Sequence, residues 1–107
     1  MRVVHETLEG PYRIEEDIAL YGLIAGDAIL CRGARLLLHG TIAGNLTVET
    51  GARAVLHGTV AGRITNDGGR IELFGSADAI SNVSFSAITI IDPKAYVRTQ
   101  PVQRTSP

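Results

Sequence analysis

One short sequence pattern recurs along the chain at a constant spacing, and this repeat constrains the fold more than any other feature. A leucine is followed two residues later by a glycine, then by an isoleucine or valine and a second glycine, starting at Leu20, Leu38 and Leu56. The two steps are equal, and the next step, which leads to Leu73, is shorter by one residue. Steps of about 18 residues are too short for a helical repeat, which needs upwards of about 30 residues. The spacing therefore excludes helix-turn-helix repeats and favours coils made of short strands.

Aligning the coils at this spacing places like residues in columns, of which five are apolar. They are Ile18, Leu36, Ala54, Ile71 and Ile88; Leu20, Leu38, Leu56, Leu73 and Ile90; Ile24, Ile42, Val60 and Ala77; Ala28, Leu46 and Ile64; and Leu30, Val48, Asn66 and Val83. Within each coil, apolar residues alternate with polar or small ones, which is typical of strands. The glycine columns through Gly40 and Gly58 are interpreted as turns with positive φ. The sequence predicts an all-β, single-stranded parallel β-helix (β-solenoid), three-sided, with about 18 residues per coil and apolar columns inside.

The hand of the coil depends on which repeat family the chain resembles. Apolar residues recur every six positions from Ile18 to Val60, a spacing that a left-handed hexapeptide helix would also show. The stretch Leu38-His-Gly-Thr-Ile-Ala-Gly-Asn-Leu46, however, resembles the bactofilins, bacterial polymer-forming cytoskeletal proteins with a right-handed three-sided β-helix. The resemblance covers roughly residues 18–92. It implies a right-handed coil and a subunit that assembles end to end.

The repeat also divides the chain into three segments. Residues 1–17 match no column, and we expect an N-terminal cap there, or a strand across the first coil. Residues 18–92 form the β-helix of four to five coils, and the fourth coil lacks the second glycine. Residues 93–107 are expected to form a C-terminal cap and a flexible tail, because Pro93 interrupts the repeat and the end is polar and proline-rich.

Charge and motifs narrow the classes of function. Ten basic and 11 acidic residues leave a net charge of −1, which offers no electrostatic attraction for nucleic acid. No apolar run is long enough for an integral membrane segment, and no signal-peptide pattern is present, so a cytoplasmic location is expected. The lone Cys31 cannot form an internal disulfide. No catalytic motif occurs, and we expect neither enzymatic activity nor a cofactor.

Two sets of residues are candidate interaction sites. Tyr21, His39, His57 and Phe74, followed by Ile91, form a column just after an inward leucine column, so alternation points them outward. This face is either a docking strip for a protein partner or a ladder that stabilises the sheet. The second set lies in the last coil, where Ile88, Ile90, Ile91 and Tyr96 are candidates for self-assembly.

His39 and His57 also raise the question of a metal site. On adjacent coils they would lie about 5 Å apart. A third ligand is missing, because Tyr21 and Phe74 flank the pair and His5 lies outside the predicted repeats. Stacked neutral histidines are therefore favoured over a bound ion.

Three functional hypotheses follow. The first is a non-enzymatic structural protein, a bactofilin-like cytoskeletal or scaffold subunit whose partner is itself. The second is a compact β-helix that binds another protein through one face, as an immunity or adaptor protein would. The third is an enzyme of the hexapeptide class with a site between protomers, for which no supporting residue set is found.

Overall fold

The chain folds as a β-solenoid, which confirms the fold class predicted from the repeat. A computed structural model describes residues 1–99. Its fifteen strands are β1 (Arg2–Val4), β2 (Thr7–Glu9), β3 (Tyr12–Ile14), β4 (Ile18–Leu20), β5 (Leu23–Ala25), β6 (Ala28–Leu30), β7 (Arg35–Leu38), β8 (Thr41–Ile42), β9 (Leu46–Glu49), β10 (Arg53–Leu56), β11 (Thr59–Asp67), β12 (Arg70–Leu73), β13 (Ser76–Asn82), β14 (Ile88–Ile91) and β15 (Tyr96–Val97). Over the described residues the chain contains no helix that could cross a membrane.

The strands stack in parallel ladders that run along the solenoid. The first ladder contains β1, β4, β7, β10, β12 and β14. The second follows β2, β5, β8, β11, β13 and β15, and the third follows β3, β6, β9, β11 and β13. The long strands β11 and β13 belong to both, because they continue through the corner between them. Residues 1–99 thus form five full coils and a partial sixth.

The predicted columns form the core. Ile18, Leu36, Ala54 and Ile71 are partners in register along the first ladder, as are Leu20, Leu38, Leu56 and Leu73. Leu20, Leu38 and Leu56 are completely buried. Burying one such side chain contributes about 2 kcal/mol, so the stacked columns are the main source of stability.

The last coil departs from the predicted register by one residue. Thr89 and Ile91, and not Ile88 and Ile90, are the partners of Ile71 and Leu73. The step from Arg70 to its partner Ile88 is one residue longer than the step assumed in aligning the columns. A turn closed by the Ala87 amide donating to the Ser84 carbonyl takes up the additional residue.

Two further positions were also wrongly assigned. Asn82, not Val83, is the partner of Asn66, and Val83 is 59% exposed. Cys31 follows the inward Leu30 and would face outward by alternation, but only 7% of it is exposed. It is the first residue of a tight turn in which the Ala34 amide donates to its carbonyl oxygen.

Residues 1–17 form a coil of the solenoid, so the predicted absence of register in this segment is wrong. Strands β1, β2 and β3 pair in parallel with β4, β5 and β6. The step from Arg2 to its partner Ile18 is two residues shorter than the step between the central coils, such as that from Ile18 to Leu36. This shorter step hides the repeat when the chain is aligned at the central spacing.

Gly40 and Gly58 are needed for close approach of adjacent coils and not for a positive φ. The positive-φ turns instead contain Gly33, Gly51 and Gly68. A Cβ added to Gly58 would overlap the carbonyl oxygen of Gly40 in the coil below. The Gly58 amide also donates to the Leu38 carbonyl at 2.9 Å, which fixes that approach.

Beyond the last full coil, the chain continues along the second ladder. Tyr96 and Val97 pair with Ser76 and Ala77, so part of the segment predicted as a C-terminal cap extends the solenoid. Arg98 forms an ion pair with Asp78. The predicted flexible tail lies, from residue 100 onward, outside the described residues.

Candidate functional site

The outward column predicted around the two histidines is a continuous stack of rings. Ring centroids are 4.6 Å apart between Tyr21 and His39, 5.2 Å between His39 and His57, and 4.8 Å between His57 and Phe74. The rings are within 12° of parallel at each step. His5 extends this ring ladder, with its centroid 5.2 Å from that of Tyr21. His5 could not be assigned to this column from the sequence, because the shorter first step hides the first coil.

Ile91 is not part of the ring ladder. The position after Phe74 is held by Asp92, whose amide donates to the Leu73 carbonyl just as the Phe74 amide donates to that of Leu56. The one-residue shift of the last coil moves Ile91 to an inward position. The ladder therefore ends at Phe74.

The ring ladder forms because each ring follows directly after a buried residue at the corner of its coil. The coil spacing of about 4.8 Å matches the preferred distance between aromatic rings. Each inner ring has a neighbour on both faces, so the ladder presents a row of ring edges to solvent. Tyr21 is 48% exposed and Phe74 41% exposed. This arrangement stabilises coil stacking and also leaves an accessible aromatic strip.

The stacking of His39 and His57 does not suit an ion shared between them. Their rings are nearly parallel, at 7°, so the nitrogen lone pairs run side by side and do not converge. The ligands of a tetrahedral zinc ion point toward one common position, which two parallel imidazole rings do not provide. Within residues 1–99, no three His, Cys, Asp or Glu side chains are grouped as metal ligands.

The predicted self-assembly residues lie at the C-terminal end of the solenoid and are exposed. Ile88, Ile90 and Ile91 are 46–49% exposed and Tyr96 is 61% exposed. Val83 and Phe85, which sequence reasoning did not include, are exposed nearby, in the loop before β14. Six of the ten exposed large apolar side chains in the described part of the chain belong to this end.

The N-terminal end has a different surface. Val4 and Ile14 in the first coil are only 1% exposed, and Leu8 and Tyr12 pack against the core. The Arg2 guanidinium donates to Glu16 at 3.1 Å. This hydrogen bond, followed by the influence of Tyr12, raises the pKa of Arg2 above its ordinary value. Long side chains from β1 and β3 thus cover this end.

Asn66 holds the C-terminal coil in place, a role that its sequence position did not reveal. It is completely buried in an otherwise apolar column. Its Oδ1 accepts from the amides of Gly68 and Gly69, and its Nδ2 donates to Thr89 Oγ1 and the Ile88 carbonyl. Thr89 in turn donates to Asn82 Oδ1.

Comparison of the chain with protein-family models, with curated proteins and with solved structures gave no match.

Proposed function

We propose that this protein is a non-enzymatic, bactofilin-like structural subunit that associates with a second copy of itself through its C-terminal coil. The solenoid is a rigid rod-like architecture that is consistent with a structural or scaffold role. The observation that carries the proposal is the concentration of exposed apolar side chains on the last coil, around Ile88, Ile91 and Tyr96.

The main chain at this end also favours pairing. Within residues 1–99, strand β14 pairs with β12 on one side and has no strand on its other side. Open strand edges of this kind promote association with another chain. The cross-section of the rod is about 24 × 21 Å, so one end offers a planar area of about 500 Å². This is less than the roughly 800 Å² per partner of a standard interface, and we expect reversible, concentration-dependent association.

A second copy fits this end better than the chain's own residues 100–107. That segment contains Pro101 and Pro107, and Val102 is its single aliphatic residue. Proline has no amide hydrogen to donate to a strand edge. An equivalent solenoid end, in contrast, supplies both a strand edge and matching apolar side chains.

Sedimentation velocity across a hundredfold range of concentration, with negative-stain images of the highest sample, tests the proposal. We expect species that grow with concentration in the wild type and a monomer for Ile91→Asp. Val3→Asp is the matched control, because Val3 is similarly exposed (55%) but lies at the other end. A chain ending at Thr99 should associate at least as well as the wild type. A monomer throughout, or equal loss in both aspartate variants, contradicts the proposal.

A protein-binding face is the second candidate, favoured by the exposed ring ladder. Leu37 and Val55, half-buried on the same sheet, extend its apolar surface. One discrete small species at all concentrations would favour this candidate. The double variant His39→Asp, His57→Asp should then abolish partner binding while leaving circular dichroism at 20 °C unchanged.

A further inference from the structure

A row of arginines crosses the outer face of the first ladder. Strands β7, β10 and β12 begin with Arg35, Arg53 and Arg70, which are partners in register on adjacent strands. Adjacent strands are about 4.8 Å apart. Like charges placed directly opposite each other on neighbouring strands destabilise a sheet, so this row needs compensation.

Among the residues that the structure describes, only the two outer members of the row have a carboxylate partner. Arg35 lies 3.8 Å from Asp17, and Arg70 lies 3.2 Å from Glu72. Arg53, which has a cation on both sides, forms no ion pair or side-chain hydrogen bond within residues 1–99. The charge in the middle of the row is therefore uncompensated.

Arg53 borders a small cleft of about 60 Å³ that is also lined by Arg70 and Glu72. It also lies between two larger clefts of different character. One, of about 340 Å³, is shared with Arg70 and Ser86 and is bordered by Gly51 and Gly68. Both glycines have positive φ and carry no side chain that would block access to this corner. The other cleft, of about 250 Å³, is shared with Arg35 and is lined by Met1, Leu37 and Val55. The first is near the lower limit of small-molecule sites and the second is somewhat smaller.

We propose that Arg53 and Arg70 bind the phosphate group of a small ligand, with the Ser86 hydroxyl at the same cleft. A carboxylate is satisfied by one guanidinium fork, whereas a phosphate offers three oxygens and close to two negative charges. A phosphate can therefore compensate Arg53 and still have an oxygen left to accept from Arg70, whose Nε and Nη2 face Glu72. The adjoining apolar cleft accommodates a short apolar substituent on the phosphate. The inference does not rest on end-to-end assembly, because the row lies on the side of the solenoid.

Nuclear magnetic resonance of the full chain tests this site with inorganic phosphate as the probe, at constant ionic strength. We expect saturable shifts of the Arg53 side-chain signal and of the Gly51 and Gly68 amides. Acetate and chloride should leave these signals unchanged. Hexyl phosphate should bind more tightly than inorganic phosphate and should also shift Leu37 and Val55.

Arg53→Gln should weaken phosphate binding at least tenfold, because it removes the uncompensated cation. Arg63→Gln is the matched control: Arg63 is an exposed arginine on the third ladder that donates to Ser81, and its loss should leave binding unchanged. The absence of saturable shifts, equal shifts with acetate, or unweakened binding by Arg53→Gln would overturn the proposal. Because the wild-type shifts locate the site, the test does not depend on the variant folding.

Vesicles distinguish the two sources of the phosphate group. Arg53-dependent co-sedimentation with phosphatidic acid vesicles, and not with phosphatidylcholine vesicles, would assign a lipid headgroup. Binding of inorganic phosphate without vesicle binding would assign a soluble phosphate compound. Vesicle binding that persists in Arg53→Gln would contradict a lipid role for this site.

Discussion

The two ends of the solenoid solve the same physical problem in opposite ways. Each end leaves an unpaired strand edge and the last layer of the apolar core facing outward. In the first coil, Val4 and Ile14 are nevertheless almost completely buried, whereas Ile91 in the last coil is 46% exposed. The difference comes from what occupies the neighbouring inward positions.

Long polar side chains occupy inward positions at the N-terminal end, whereas the inward positions of the last described coil hold Thr89, Ile91 and Val97. Arg2 and Tyr12 align with the inward residues Ile18 and Ala28, so their length is available to cover the shorter apolar residues beside them. In the last coil the inward positions of the first ladder hold Thr89 and Ile91. The contrast teaches that an end of a solenoid is sealed by residues that break the repeat pattern, and that an end which keeps the pattern stays apolar.

Introducing aspartate at matched inward positions of the two ends should give the largest difference in the free energy of unfolding. Val4→Asp places a charge in the core, and we expect a loss of about 3–5 kcal/mol in the free energy of unfolding. Ile91→Asp keeps its charge in contact with water and should cost less than about 1 kcal/mol. Thermal and urea unfolding followed by circular dichroism measure both, at concentrations where the chain is monomeric. Equal losses would show that the two ends are covered alike.

The hydrogen bonds of Asn66, called here the Asn66 clamp, link the Gly68–Gly69 turn to β14. Their removal should give the next largest loss of stability. Asn66→Ala leaves the Gly69 amide without its buried acceptor and releases Thr89, at an expected cost of about 2–3 kcal/mol. Asn45→Ala is the control, because Asn45 accepts a hydrogen bond from the Arg63 amide at an exposed corner and should cost about 1 kcal/mol. Asn66→Val restores the apolar column of Leu30 and Val48. If the valine variant were as stable as the wild type, column packing and not the clamp would hold the last coil.

The sequence predicts the middle of the solenoid correctly and its two ends less well. The columns through Leu38 and Leu56, and the outward stack of His39 and His57, follow from a constant step between coils and simple alternation. Neither end keeps that step: the first coil is shorter by two residues, and the turn at Ser84–Ala87 shifts the last coil by one. Alignment at a constant step assigns residues to the wrong face where the step changes, because a shift of one residue exchanges inward and outward faces.

The roles of some other residues could not be predicted for a second reason: they are polar residues in inward positions. Arg2, Tyr12 and Asn66 occupy inward columns, and a hydrophobic pattern identifies them as interruptions of the repeat. Their roles depend on partners distant in sequence: Glu16 lies 14 residues from Arg2, and Thr89 lies 23 from Asn66. The exposed isoleucines of the last coil could be proposed for self-assembly from sequence, but which of them point inward could not.

Hydrogen exchange should resolve the two ends without mutation. At dilute concentration, amides of β14 should exchange about tenfold faster than those of β1, because every residue of β14 is at least partly exposed, whereas β1 contains the buried Val4, and exposed strands open locally. Raising the protein concentration should slow exchange in β14 and leave β1 unchanged if the C-terminal coil pairs with a second copy. Slowing in β1 instead would place the contact at the N-terminal end.

Replacing Arg2 should have the smallest effect on stability. This variant instead tests whether Arg2 prevents association at the N-terminal end. The ion pair between Arg2 and Glu16 is exposed at both partners, 47% and 58%, and such pairs contribute little to folding. Arg2→Leu should therefore leave the melting temperature nearly unchanged. Charged side chains at a strand edge do, however, discourage edge-to-edge pairing, and this variant removes the charge while keeping an inward side chain. We expect sedimentation velocity to show species larger than those of the wild type at the highest concentrations, because both ends can then associate. If Arg2→Leu sediments as the wild type does, the cover provided by Tyr12 alone is enough to keep the N-terminal end closed.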